Sequence, residues 1–247
     1  MLILAIETST LPGSVALVEA PVSQEGSGGE EKILGEITLT TPETHSARLM
    51  PAIDRLLGEA SRTIHQVQGI ALGLGPGSFT GLRIAVSTVK GLAFALEVPV
   101  VGVPTLDALA QNLCYAARVV CPVLDARKNE VYAALFRGDG EGHLEKMSED
   151  WVLSPEDLCS RISEKTIFLG NGGEIYREVF KERLGSRALL APPEFSLPRA
   201  VNVARLSLLG FQKGLTLDLF SFTPIYLRRS EAEVHYERKD KERRGFA

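Results

Sequence analysis

The sequence predicts an α/β protein of two lobes, each a mixed β-sheet flanked by helices. Three observations predict it. The chain opens on a β-hairpin whose first strand, Leu2 to Ile6, runs into the carboxylate Glu7. A second hairpin begins at Val119, and its first strand runs into Asp125, so the opening plan recurs in mid-chain. Each hairpin is followed by a glycine-rich turn that leads from an apolar strand into a helix, at Gly73 to Ser78 and again at Gly170 to Gly173. The economical division is a first lobe at 1–104, a second at 105–222 and a charged tail at 223–247.

In order, Leu2 to Ile6 is an apolar strand, Pro12-Gly13 a turn and Ser14 to Val18 its partner. Residues 21–32 are rich in Pro, Ser, Gly and Glu and read as a solvated loop. Ile33 to Leu39 is a third strand. Thr44-His45-Ser46 starts a helix with Leu49, Ile53, Leu56 and Leu57 on one face, and Pro51 falls near its first turns, where a missing amide costs least. Pro99 to Val103 is a strand, Thr105 to Leu113 a helix, and Val119 to Phe136 the second hairpin, turning through Ala126 to Asn129. A strand at Thr166 to Leu169 and an amphipathic helix at Ala200 to Gln212 complete the second lobe.

The stretch from Gly69 to Leu96 is the most informative. Ile70 to Leu72 is a buried strand, and Gly75, Pro76 and Gly77 form a tight turn. Ser78 caps a helix that begins Phe79-Thr80-Gly81-Leu82-Arg83. Leu82, Val86, Val89, Ala93 and Leu96 make one apolar stripe. Ile84, Thr88, Gly91 and Ala95 make a second stripe of mostly small residues. A glycine turn at a helix start can hold a phosphate, but Leu82 follows Gly81 where a P-loop needs lysine, and the glycine spacing is not that of a dinucleotide fingerprint. A close strand-to-helix connection is therefore the favoured reading.

The chain has 247 residues, 45% hydrophobic and 23% charged, enough for two lobes with real cores. A net charge of −4 gives no electrostatic case for gripping nucleic acid unaided. Cys114, Cys121 and Cys159 form no C-x-x-C pair, which argues for a reducing compartment and against zinc. No signal peptide opens the chain and no apolar run reaches membrane-spanning length, so a cytoplasmic protein is expected. The four histidines, His45, His65, His143 and His235, lie singly and not at ligand spacing; no metal and no cofactor are expected. Seven Lys/Arg and five Asp/Glu fill the twenty residues from Arg228, which read as a solvated tail or a partner contact.

Two carboxylate-ended hairpins and a late glycine turn resemble the actin-like ATPase and sugar-kinase fold, of ribonuclease H-like plan. That resemblance implies phosphate sites at the hairpins. Those proteins carry Asp-x-Gly-Thr/Ser at the first hairpin, where this chain has Glu7-Thr8-Ser9-Thr10 and no glycine for a close phosphate approach. The fold is implied and the activity is not.

Further motifs resemble the TsaB family: Ile6-Glu7-Thr8-Ser9, His45-Ser46 with Leu49 and Pro51, Gly75 through Arg83, Asp125-Ala126-Arg127 with Glu130-Val131-Tyr132, and Pro224 with Tyr226-Leu227-Arg228. The resemblance implies a non-catalytic partner of TsaD, acting with the ATPase TsaE to place threonylcarbamoyl on N6 of adenosine 37 in tRNAs reading ANN codons. It implies contact with tRNA only through that complex. The catalytic relative is similar through the same glycine loop but carries a metal-binding His-x-x-x-His, and alignment places Thr105 and Leu109 there. An ATP-binding phosphotransferase of the actin-like superfamily is the alternative, and a metallopeptidase the third reading. The expected partner surface combines Leu49, Ala52 and Ile53 with Arg83, Ile84, Ser87, Lys90, Gly91 and Phe94. It would meet the matching helices of a TsaD-like subunit or, without one, of a second copy of this chain.

Overall fold

The computed structural model describes residues 1–21, 31–40 and 43–228. Most of the loop expected at 21–32, and all but residues 223–228 of the tail expected at 223–247, lie outside the described residues. The first sheet is built from β1 (Leu2–Glu7), β2 (Gly13–Glu19) and β3 (Lys32–Leu39), then α1 (His45–Glu59), β4 (Gly69–Gly73), α2 (Phe79–Leu96) and β5 (Val100–Val103). After α3 (Thr105–Ala110) come β6 (Val119–Arg127), β7 (Glu130–Ala133), β8 (Phe136–Gly138), β9 (Leu144–Lys146) and β10 (Trp151–Leu153). The chain continues through α4 (Pro155–Ser160), β11 (Thr166–Leu169), α5 (Asn171–Ile175), α6 (Arg177–Leu184), β12 (Ala188–Leu190) and α7 (Ala200–Lys213).

The sheets repeat one plan. The first has the order β3-β2-β1-β4-β5, the second β10-β7-β6-β11-β12, with β8 and β9 added beside β6. In each, a hairpin pairs antiparallel and the later strands join parallel to its first strand. The expected two-lobed fold is the one observed. The central strands carry near-continuous apolar runs because both faces are covered; every residue of β1 and β4 is buried.

On one face of the first sheet, α1 and α2 bury Leu49, Ile53, Ala85 and Val89 against Leu4, Ile6 and Leu72. The other face carries the smaller side chains Ala5, Ala16 and Ala71, and α7 packs there through Ala200, Val203 and Ala204. This corrects the division at 104, which assigned the last helix to the second lobe. The reason is reciprocal: the helix after β5 packs on β6, and the helix after β12 packs on the first sheet. The two closing helices meet where Asn202 Nδ2 donates to the Ala108 carbonyl at 3.0 Å and to Asn112 Oδ1 at 2.7 Å.

Two further expectations change. Pro51 lies inside α1, more than a full turn beyond its start, and faces solvent. The 18 residues of α2, with mean hydropathy 1.3, are long and apolar enough to cross a membrane, the one such helix among the described residues. It meets that measure by length and composition alone, and its inner stripe of Leu82, Ala85, Val86, Val89 and Ala93 is buried within the protein.

Candidate functional site

The end of β1 is packed directly onto the glycine turn and the start of α2. The Ser78 amide donates to the Ser9 carbonyl at 2.6 Å, and Thr8 Oγ1 donates to the Gly81 carbonyl at 2.9 Å. A Cβ on Gly77 would collide with the Ser9 carbonyl and lie 2.7 Å from Ser9 Cβ; one on Gly81 would collide with the Thr8 carbonyl. These glycines therefore serve a close backbone approach, as the sequence suggests, and the hairpin end is filled by the protein's own chain. Ser78 caps α2 as expected, accepting from the Gly81 amide at 3.3 Å. Gly75 has a φ of 104°, a value glycine reaches without strain, and Pro76 beside it is buried.

Glu7 is the hub of this junction. Its Oε1 accepts from the Ser9 amide at 2.6 Å, and its Oε2 accepts from Thr105 Oγ1 at 3.1 Å. The Thr105 oxygen in turn accepts from the Gly75 amide at 3.2 Å. One buried carboxylate thus joins β1, the glycine turn and α3. Burial raises its pKa above the ordinary glutamate range, against the lowering effect of its Ser9 and Thr105 hydrogen bonds.

His45 is packed at the start of α1. Nε2 meets the Thr10 carbonyl at 2.9 Å, and Nδ1 lies 3.1 Å from an Arg48 nitrogen, so the ring is held by the hairpin turn on one side and α1 on the other. Burial lowers its pKa. Sequence reasoning missed Arg48, whose guanidinium donates to the Leu11 carbonyl. Its spacing of three from His45 on one helix was the available signal.

The second hairpin repeats the arrangement more loosely. Asp125 Oδ1 accepts from the Arg127 amide at 3.0 Å and from Tyr176 OH at 3.4 Å, while the Asp125 amide donates to Asn171 Oδ1 at 3.1 Å. Arg127, Lys128 and Asn129 all take positive φ around the exposed turn. Gly170 again allows close approach: a Cβ there would collide with the Val123 carbonyl. Thr105 and Leu109 are both fully buried, the first bound to Glu7 and the second packed in the second-lobe core.

The expected partner surface divides. Leu49, Ala52 and Ile53 belong to the core and are not surface residues, because α1 turns that stripe onto the sheet. On α2, Arg83, Ser87, Gly91 and Phe94 are exposed and Ile84 and Lys90 half-buried. Phe94 is 67% exposed, and a Cβ on Gly91 would meet nothing within 4 Å. So at Gly91 and Ala95 the small stripe is not closed by another helix among the described residues. Phe79 lies under the Arg83 guanidinium at 3.9 Å, while Thr80 faces solvent.

Duplicated lobes, with hairpin ends held by the chain's own groups, define a two-lobed α/β protein. Residues 32–236 match the family model described as TsaD, tRNA N6-adenosine threonylcarbamoyltransferase. The chain is 30% identical over 239 residues to the tRNA threonylcarbamoyladenosine biosynthesis protein TsaB of Bacillus subtilis, covering 96% of this chain and 98% of that one. It is 32% identical over 237 residues to TsaB of Escherichia coli, covering 94% and 96%. The solved structure of YeaZ from Pseudomonas aeruginosa superposes with a TM-score of 0.72 at 31% identity, over 92% of this chain and 99% of that one. The chain belongs to the TsaB family of tRNA threonylcarbamoyladenosine biosynthesis proteins.

Proposed function

We propose that the chain is a non-catalytic scaffold and activator of the complex that transfers threonylcarbamoyl to N6 of adenosine 37 in tRNAs reading ANN codons. Its partners are a TsaD-like catalytic subunit and a TsaE-like ATPase, it meets tRNA only through them, and it works in the cytoplasm. The observation that carries this reading is the fate of Thr105 and Leu109. At the positions of the catalytic relative's metal-binding histidines, this chain has a hydroxyl committed to Glu7 and a buried leucine, neither able to stand in for imidazole. The alternative of an ATP-using phosphotransferase has little support, because Glu7 is engaged by Ser9 and Thr105. Three free thiols, Cys114, Cys121 and Cys159, agree with a reducing compartment.

The partner surface of this reading is the outer face of α2: Arg83, Ile84, Ser87, Lys90, Gly91 and Phe94. What supports it is an exposed aromatic beside an unfilled small position, on a helix whose opposite stripe is buried. Without the partner, two copies of the chain pair through the same face. The direct test assays the purified chain alone for threonylcarbamoyl transfer, peptidase and kinase turnover, with elemental analysis of the same sample. The expected result is no turnover and no stoichiometric metal. One zinc or iron per chain, or any of the three activities, would overturn the reading.

A further inference from the structure

The segment after α7 carries the Pro224, Tyr226, Leu227, Arg228 motif, which the scaffold reading leaves without a task. It runs along α2 and ends on the second lobe. Lys90 Nζ donates to the Phe220 carbonyl at 3.0 Å and lies 4.7 Å from the centre of the buried Phe222 ring. The Ile225 amide donates to the Leu74 carbonyl at 2.8 Å, just ahead of the glycine turn. Arg83 Nε donates to Tyr226 OH at 3.3 Å. Leu227 then packs into the second-lobe cluster that contains Leu106 and Tyr132. Arg228 Nη1 donates to the Ala126 carbonyl at 3.1 Å and pairs with Glu130 at 3.2 Å, on the hairpin turn of the second lobe.

We propose that residues 217–228 are an interlobe strap that docks and releases as one unit, coupling the outer face of α2 to the second hairpin at 126–130. The strap has no slack. Ile225 is tied to the first lobe and Leu227 to the second, and two residues of extended chain span at most about 7 Å. If the lobes separate by more than a few ångströms, or the strap lifts from α2, one set of contacts must break and the other loses its anchor. Arg83 and Lys90 lie on the same face of α2 that the strap partly covers, so whatever engages that face acts on the strap. Coupling of this kind is reciprocal: a change at the second hairpin must be felt on α2 as strongly as the reverse.

Amide hydrogen exchange on the full chain, with no partner present, tests this independently of the scaffold reading. Arg228→Ala removes contacts only on the second lobe, and Lys90→Ala only on the first. The strap predicts that Arg228→Ala raises exchange at least fivefold at 126–130, at the Ile225 amide and in peptides covering 79–90, with β1 and β4 unchanged. Lys90→Ala is expected to raise exchange at 126–130 by a similar factor, and Arg228→Lys to restore part of the protection. Should each variant loosen only its own side, or neither loosen anything, the segment is a set of independent contacts and the strap is refuted.

Discussion

The Ser9 carbonyl accepts the Ser78 amide at 2.6 Å, so the end of the first strand is hydrogen-bonded to the residue that caps α2. That approach is open only because residue 77 has no side chain. Gly77→Ala puts a methyl group against backbone that cannot swing aside, and overpacking of this kind costs about 1–3 kcal/mol. The expected outcome is a thermal midpoint lowered by roughly 4–8 °C, taking about 2 kcal/mol for a chain of this size. A midpoint within 1 °C or so of wild type would show the junction to be looser than the hydrogen bond implies.

Glu7 gives a pH dependence of definite sign. Burial raises its pKa above the ordinary value of 4.5, so the folded state holds that proton more firmly than the unfolded state. Its contribution is fully present below the unfolded value and is lost as pH rises through the raised folded value. Denaturant unfolding across pH 4 to 8 is therefore expected to show the wild type losing ground to Glu7→Gln as pH increases. A difference that is flat with pH, or that grows in favour of wild type, would place the folded pKa at or below the ordinary one.

The reciprocal exchange of closing helices makes the first lobe incomplete at residue 104. Without α7, the face carrying Ile3, Ala16 and Val18 is open to water. A fragment of residues 1–104 is expected to aggregate or to bind a hydrophobic dye without a cooperative melt. A single sharp unfolding transition from that fragment would contradict the packing described for α7.

What the sequence displayed was the local chemistry. Ser78 as a cap, the glycine turn and the carboxylate-ended hairpins follow from neighbours in the chain, and the duplicated lobes from their recurrence. Destinations were harder to see. The stripe of α7 announces an apolar face but not which sheet receives it, and Leu49, Ala52 and Ile53 announce an apolar face but not that the first sheet covers it. The bond between Glu7 and Thr105 joins residues 98 positions apart, with no local trace. Three-residue strands such as β10 and β12 are too short to show a period.

The outer face of α2 should tolerate change in the isolated protein. Ser87 and Phe94 are exposed, so Ser87→Arg and Phe94→Glu are expected to move the thermal midpoint by no more than about 2 °C, as surface substitutions do. At an interface core the same changes cost on the order of 2 kcal/mol or more, a loss of at least about thirtyfold in affinity. Titration calorimetry of each variant with the TsaD-like subunit of the same cell reads this directly. Undiminished affinity in both variants would move the interface off α2.

Threonylcarbamoyl transfer to tRNA, measured with the TsaD-like and TsaE-like proteins of the same cell, tests the central claim most directly. The account predicts transfer when the wild-type chain is added, background without it, and background again with Ser87→Arg. Full transfer in the absence of this chain, or transfer by this chain in the absence of the TsaD-like subunit, would contradict it.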